Sequence, residues 1–144
     1  MPSNTVEAVV EAPRALVFEV FADRERSGEY LPLRVTLDQP GTRERQGVGA
    51  VHLLRLGPLG IREQIIELVP GERMVYRVVS GLPVRSHVGT IEFQEDPRGT
   101  KVRYTMESVP SLPVPGGLVR AILQRMTTTM VQGARRTAER RHRS

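Results

Sequence analysis

The chain has 144 residues, 39% of them hydrophobic and 26% charged: the length of one ordinary domain and the composition of a packed one, not of a disordered chain. With no cysteine, disulfides, thiolate metal sites and cysteine nucleophiles are excluded. The formal charge of +5 is local, because residues 135–144 hold Arg135, Arg136, Arg140, Arg141 and Arg143 against Glu139, leaving the body close to neutral.

That distribution makes 134–144 a basic helix end or tail and sets aside a basic binding face. Arginines late in a helix suit the negative end of its dipole. Without aromatic stacking platforms beside them, they argue against nucleic acid as a partner. A tail that recruits a partner is a third reading, in which trimming residues 135–144 would spare any ligand site. No apolar run approaches the roughly 18 residues of a membrane span, and the start lacks a charged-then-apolar leader. The expectation is one soluble, cytoplasmic domain over 1–144.

In chain order, Thr5–Glu11 alternates Val6, Ala8 and Val10 against polar neighbours and predicts a strand. Pro13 suits a helix start, and Val17, Phe18, Val20 and Phe21 form a helical apolar face over 14–22, with 23–29 a polar continuation or second short helix. Residues 33–37 predict a second strand and 39–46 a loop around Pro40-Gly41. Five strands follow, at about 48–56, 61–68, 73–80, 85–95 and 101–109, separated by turns short enough to force antiparallel neighbours. After Gly116-Gly117, Leu118, Ile122, Met126 and Met130 recur every four residues beside Val119 and Leu123, predicting a long amphipathic helix to about residue 141. A curved sheet must cover its apolar face, and this helix carries the long stripe able to do so. The fold class is therefore α+β.

Facing residues in a hairpin share a constant index sum and one side of the sheet. The four turns place those sums near 117, 141, 163 and 195. All are odd, so the inward set alternates between even and odd numbers from strand to strand. It runs His52, Leu54 and Leu56; Ile61, Glu63 and Ile65; Met74, Tyr76 and Val78; Arg85, His87, Gly89, Ile91 and Phe93; and Val102, Tyr104 and Met106. This surface is mostly apolar. Its exceptions, His52, Glu63, Arg85 and His87 with the hydroxyls of Tyr76 and Tyr104, either pair with one another or line a wet cavity. Glu63 paired with Arg85 or His52 is the structural alternative to a ligand role. Gly89 leaves a gap for a ligand or the helix. With three Phe, three Tyr and no Trp, such a sheet is hard to fill. An apolar pocket with a few polar groups is the expected result.

Residues 9–23 (VVEAPRALVFEVFAD) resemble the strand-then-helix opening of the polyketide cyclase/dehydrase group of the START/Bet v 1-like (SRPBCC) superfamily. Gly47–Val51, Arg62–Ile65, Pro70–Tyr76 and Gly99–Tyr104 are similar to its later strand signatures. The resemblance spans about residues 4–138. It implies a helix-grip fold: a curved seven-stranded antiparallel sheet wrapped around a long C-terminal helix, with two short helices after the first strand and a deep hydrophobic cavity. It also implies that Tyr30 stands at the pocket entrance, where the family usually has a tryptophan.

The function expected is binding of a small, mainly hydrophobic ligand (lipid, isoprenoid or polyketide-like) in that cavity. The lining set is His52, Leu54, Leu56, Glu63, Ile65, Met74, Tyr76, Arg85, His87, Gly89, Ile91, Tyr104, Met106, Ile122 and Met126. The alternative is an aromatase/cyclase-dehydratase acting on a poly-keto chain, with His87 or Glu63 as base and Tyr76 or Arg85 as donor to the enolate. Two inward histidines and one carboxylate lack helix-type ligand spacing, so neither a metal site nor a cofactor is expected. Monomer and homodimer both stay open.

Overall fold

A computed structural model describes residues 2–144. Strand β1 (Ser3–Val10) leads into helix α1 (Arg14–Ala22) and a 3₁₀ helix (Arg24–Glu29). Strands β2 (Arg34–Gln39), β3 (Val51–Leu56), β4 (Leu59–Val69), β5 (Arg73–Ser80), β6 (Val84–Asp96) and β7 (Gly99–Pro110) follow, and helix α2 (Gly116–Arg143) closes the chain. All neighbours are antiparallel in one seven-stranded sheet of order β1-β7-β6-β5-β4-β3-β2. This is the helix-grip arrangement expected from the strand pattern and the terminal stripe.

The register keeps the parity argued from the turns. Facing index sums are 115 for β3–β4, 141 beside Glu63 for β4–β5, 165 for β5–β6 and 195 for most of β6–β7. Two of these differ from expectation by two, which slides a strand without turning it over. Bulges change the parity locally. One at Ile66 leaves that residue exposed and brings Leu68 opposite Met74. Another, between Val84 and Ser86, falls on Arg85.

One end of the concave face is packed solid. Phe18 and Phe21 of α1 meet Phe93 edge-on at 5.3 and 5.6 Å, and Phe21 meets Tyr104 at 6.2 Å. Val131, Ala134 and Ala138 of α2 lie buried against this cluster. At Gly133 a side chain would stand 2.8 Å from the Tyr30 ring, so the glycine permits the close approach.

The buried stripe of α2 is Val119, Leu123, Thr127, Val131, Ala134 and Ala138, one residue out of phase with the expected Leu118–Ile122–Met126 line. Small side chains in the C-terminal half set the rotation of the helix. The larger ones at Leu118, Ile122 and Met126 are left 53%, 49% and 38% exposed. The basic end is no free tail. Thr137 and Ala138 are wholly buried, Glu139 accepts the Glu11 backbone N–H at 3.0 Å, and Arg141 pairs with Glu29 at 3.4 Å. Trimming it would remove buried side chains together with the basic ones.

Candidate functional site

Where α1 does not reach, the sheet and the N-terminal half of α2 enclose a cavity of about 340 Å³. Its walls are almost entirely apolar. Leu54 and Leu56 of β3, Ile61 of β4 and Met106 of β7 form the sheet side. Ile122, Met126 and Met130 form the helix side, and Leu31, Pro32 and Leu33 form the rim. A smaller space of about 190 Å³ adjoins it under Leu112, Val114 and Val119, and shares Leu82, His87, Ile122 and Met126 with it.

The sheet presents three polar groups to the larger cavity: Glu63, Tyr76 and His87. Glu63 is 7% exposed, and its partner is Arg24 from the 3₁₀ helix, itself 4% exposed. The Arg24 guanidinium also stands 4.6 Å from the centre of the Tyr76 ring, in cation–π geometry. Burial works against the Arg24 charge, but Glu63 and the surrounding tyrosines outweigh it and hold its pKa above the ordinary value. The two side chains form a buried salt bridge in which the charges offset one another. Glu63, a residue of the cavity wall, receives Arg24 on Oε1, and its Oε2 has no hydrogen-bond partner among the described residues.

Tyr104 donates to the Met130 sulfur at 3.5 Å, so its oxygen receives the Tyr76 hydroxyl at 2.5 Å. Burial, followed by Glu63 for Tyr76 and by Tyr76 itself for Tyr104, pushes both phenols up, and both stay protonated. His87 bonds Ser108 Oγ through Nδ1 at 3.2 Å, while Nε2 has no hydrogen-bond partner among the described residues. Burial pulls the His87 pKa down against the opposing pull of Glu63, so a neutral imidazole faces the space.

Seven of the expected lining residues stand elsewhere. Ile65, Met74, Ile91 and Tyr104 are core, because Phe18, Phe21 and Phe93 fill that end. Gly89 leaves no gap for a ligand: the Tyr76 ring lies where its side chain would be. Arg85, carried by the bulge, is exposed outside the cavity. The partner of the Glu63 carboxylate, expected to be Arg85 or His52, is Arg24 instead. His52 is fully buried behind Glu63, its Nε2 2.9 Å from Gln46 Oε1. That oxygen also accepts the Glu25 N–H, and the Gln46 amide donates to Asp23, so His52 Nε2 carries the proton and Nδ1 lies buried without a partner. Burial and the nearby Arg24 charge lower the His52 pKa to about 4. Tyr30 packs on Gly133 with its hydroxyl toward Val20 O and Ser27, leaving the entrance to Leu31, Pro32 and Leu33.

Arg24 was missed, yet its signal was present. It stands three, four and seven residues after Phe21, Val20 and Val17, on the face those residues bury. Arg125 and Thr129, also on the cavity wall, lie four residues apart and had no distinguishing sequence mark.

The chain belongs to the polyketide cyclase/dehydrase and lipid transport family, whose model matches residues 1–141. A START superfamily protein from Mycobacterium smegmatis is similar over 96% of both chains, with a TM-score of 0.81 at 14% identity. The protein XoxI from Bacillus cereus is similar over 96% of both chains, with a TM-score of 0.78 at 13% identity. The di-domain ARO/CYC BexL of the BE-7585A biosynthetic pathway matches 95% of this chain over 50% of its own length, with a TM-score of 0.74 at 20% identity. These likenesses establish the START/Bet v 1 helix-grip fold. No curated protein sequence matches. No helix among the described residues is long and apolar enough to cross a membrane.

Proposed function

We propose that the protein binds a small, mainly hydrophobic ligand between the sheet and the N-terminal half of α2. The observation that carries this is an apolar cavity of about 340 Å³ with Glu63 and His87 on its inner wall, each with an unused polar atom. Burial of ligand surface at roughly 25 cal/mol per Å² supplies the affinity, and the two polar atoms orient a hydroxyl or carbonyl. Titration with the neutral fluorophore N-phenyl-1-naphthylamine tests it. Saturable one-to-one binding, weakened by Met126→Glu at the cavity wall, is expected. Absence of saturable binding overturns the reading.

His87 favours a second reading, a cyclase acting on a poly-keto chain, of the kind BexL's name describes for that protein. A neutral Nε2 open to the cavity is suited to take an α-proton; the enolate carbon then attacks a second carbonyl, whose oxygen is protonated. The donors expected to complement it are not free on the inner wall, however. The Tyr76 proton is committed to Tyr104, and Arg85 is outside. Binding without turnover is therefore the better-supported function. Cyclised product from a poly-keto thioester, lost by orders of magnitude in His87→Ala, would reverse that preference.

A further inference from the structure

The larger cavity has two charged side chains on its walls among the described residues, Glu63 and Arg125. They are not equivalent. Glu63 is neutralised by the buried Arg24 directly behind it. Arg125 is exposed on α2 and has neither an ion pair nor a side-chain hydrogen bond among the described residues. With His87 neutral, the cavity carries one uncompensated positive charge, at its solvent side, above walls that are otherwise aliphatic. Thr129, one helical turn on, lies on the same face of the helix, its hydroxyl donating to the Arg125 backbone carbonyl at 2.9 Å.

On the reading that the cavity holds a hydrophobic ligand, we infer that the ligand is an amphiphile with a single oxyanion head. The head, a carboxylate or phosphate monoester, is seated on Arg125, and the chain is directed inward past Met126 and Met106. The arrangement follows from the cost of burying charge. An anion at the exposed guanidinium keeps part of its hydration and gains a charge-assisted, fork-shaped hydrogen-bond partner. The same anion driven inward would meet Glu63 and lose its water. A cationic head has no free carboxylate at the mouth, since Glu63 is already paired.

Four probes sharing a twelve-carbon chain separate the possibilities: dodecanoate, dodecyl phosphate, dodecanol and dodecyltrimethylammonium. Each is titrated into the full chain by displacement of N-phenyl-1-naphthylamine, below its micelle-forming concentration. At low salt, dodecanoate or dodecyl phosphate is expected to bind roughly tenfold tighter than dodecanol, as for one charge-assisted contact. Which of the two binds tighter tells carboxylate from phosphate. The preference narrows as salt rises. It falls to near parity in Arg125→Gln and survives in Arg125→Lys.

Equal affinity for the anionic and neutral probes, tighter binding of dodecyltrimethylammonium, or an unchanged preference in Arg125→Gln would overturn the inference while leaving the cavity a binding site. Failure of all four probes and of the fluorophore would overturn the binding function as well.

Discussion

Removing one charge of the Arg24–Glu63 pair tests the chemistry of the cavity wall most directly. Glu63→Gln keeps the side-chain volume, so the change opens no void; it leaves a guanidinium that is 4% exposed without its counter-ion. Breaking a buried pair from one side costs about 3–5 kcal/mol. The Tyr76 ring 4.6 Å from Arg24 is present in both proteins and so leaves that difference at its lower end. A net loss of about 3 kcal/mol is a large share of the roughly 5–15 kcal/mol typical of a domain. At about 3 °C per kcal/mol for a chain of this size, the melting temperature falls by about 10 °C. Urea unfolding provides the free energy, read as a midpoint shift at constant slope. The double variant Arg24→Met/Glu63→Leu removes both charges and keeps an apolar side chain on Tyr76. Its stability is expected to return to within about 1 kcal/mol of the wild type. A loss below about 1 kcal/mol for Glu63→Gln, or a double variant as unstable as the single one, would refute a dry ion pair and mean that water reaches the guanidinium.

Three further outcomes follow from the same packing. His52 has a folded-state pKa of about 4 against an ordinary 6.5, so the unfolded chain binds more protons between those values. Stability is therefore full above pH 6.5 and falls by about 3 kcal/mol as pH drops toward 4, with the lowered His87 adding in the same sense. A flat unfolding free energy from pH 7 to 4.5, or the same slope in His52→Gln, would contradict this. Gly89→Ala drives a methyl into the Tyr76 ring and is expected to cost about 1–3 kcal/mol in a thermal melt, where a site open to a ligand would tolerate it. Deleting residues 134–144 removes three buried methyl-bearing residues, Ala134, Thr137 and Ala138, and is expected to cost about 3 kcal/mol at roughly 0.8 kcal/mol per buried methyl plus the lost Glu139 bond. An unchanged unfolding midpoint would show the end of α2 to be dispensable.

The strand order and inward parity were legible because alternation and short turns constrain each other. An error of two in an index sum leaves every side chain on its proper face. Arg85 escaped that logic because a single extra residue near the start of β6 reverses parity locally, and nothing in Val84-Arg85-Ser86 marks the bulge. The extent of the cavity was legible only by half. Strand periodicity reports which side chains point inward but not which of them a helix will cover, so Ile65, Met74 and Ile91 looked the same as Leu54 and Met106 until Phe18 and Phe21 were placed. The phase of α2 was misjudged for a related reason. Hydropathy favours Leu118 and Ile122, whereas close approach to the sheet and Tyr30 selects Gly133, Ala134 and Ala138, and a rigid helix has only one rotation. Arg24 was missed although two features marked it, a lone inward carboxylate and its own place on the apolar face of α1 extended by one turn.

The aromatic plug at one end of the sheet separates packed core from the side chains that line the cavity. Phe21, Phe93 and Tyr104 pack within that core, while Ile122 and Met126 stand on the cavity wall, 49% and 38% exposed. Substitution at these two helix positions therefore draws little on folding free energy, and on the proposed binding function a lineage can retune the guest by exchanging them while the aromatic anchor stays fixed.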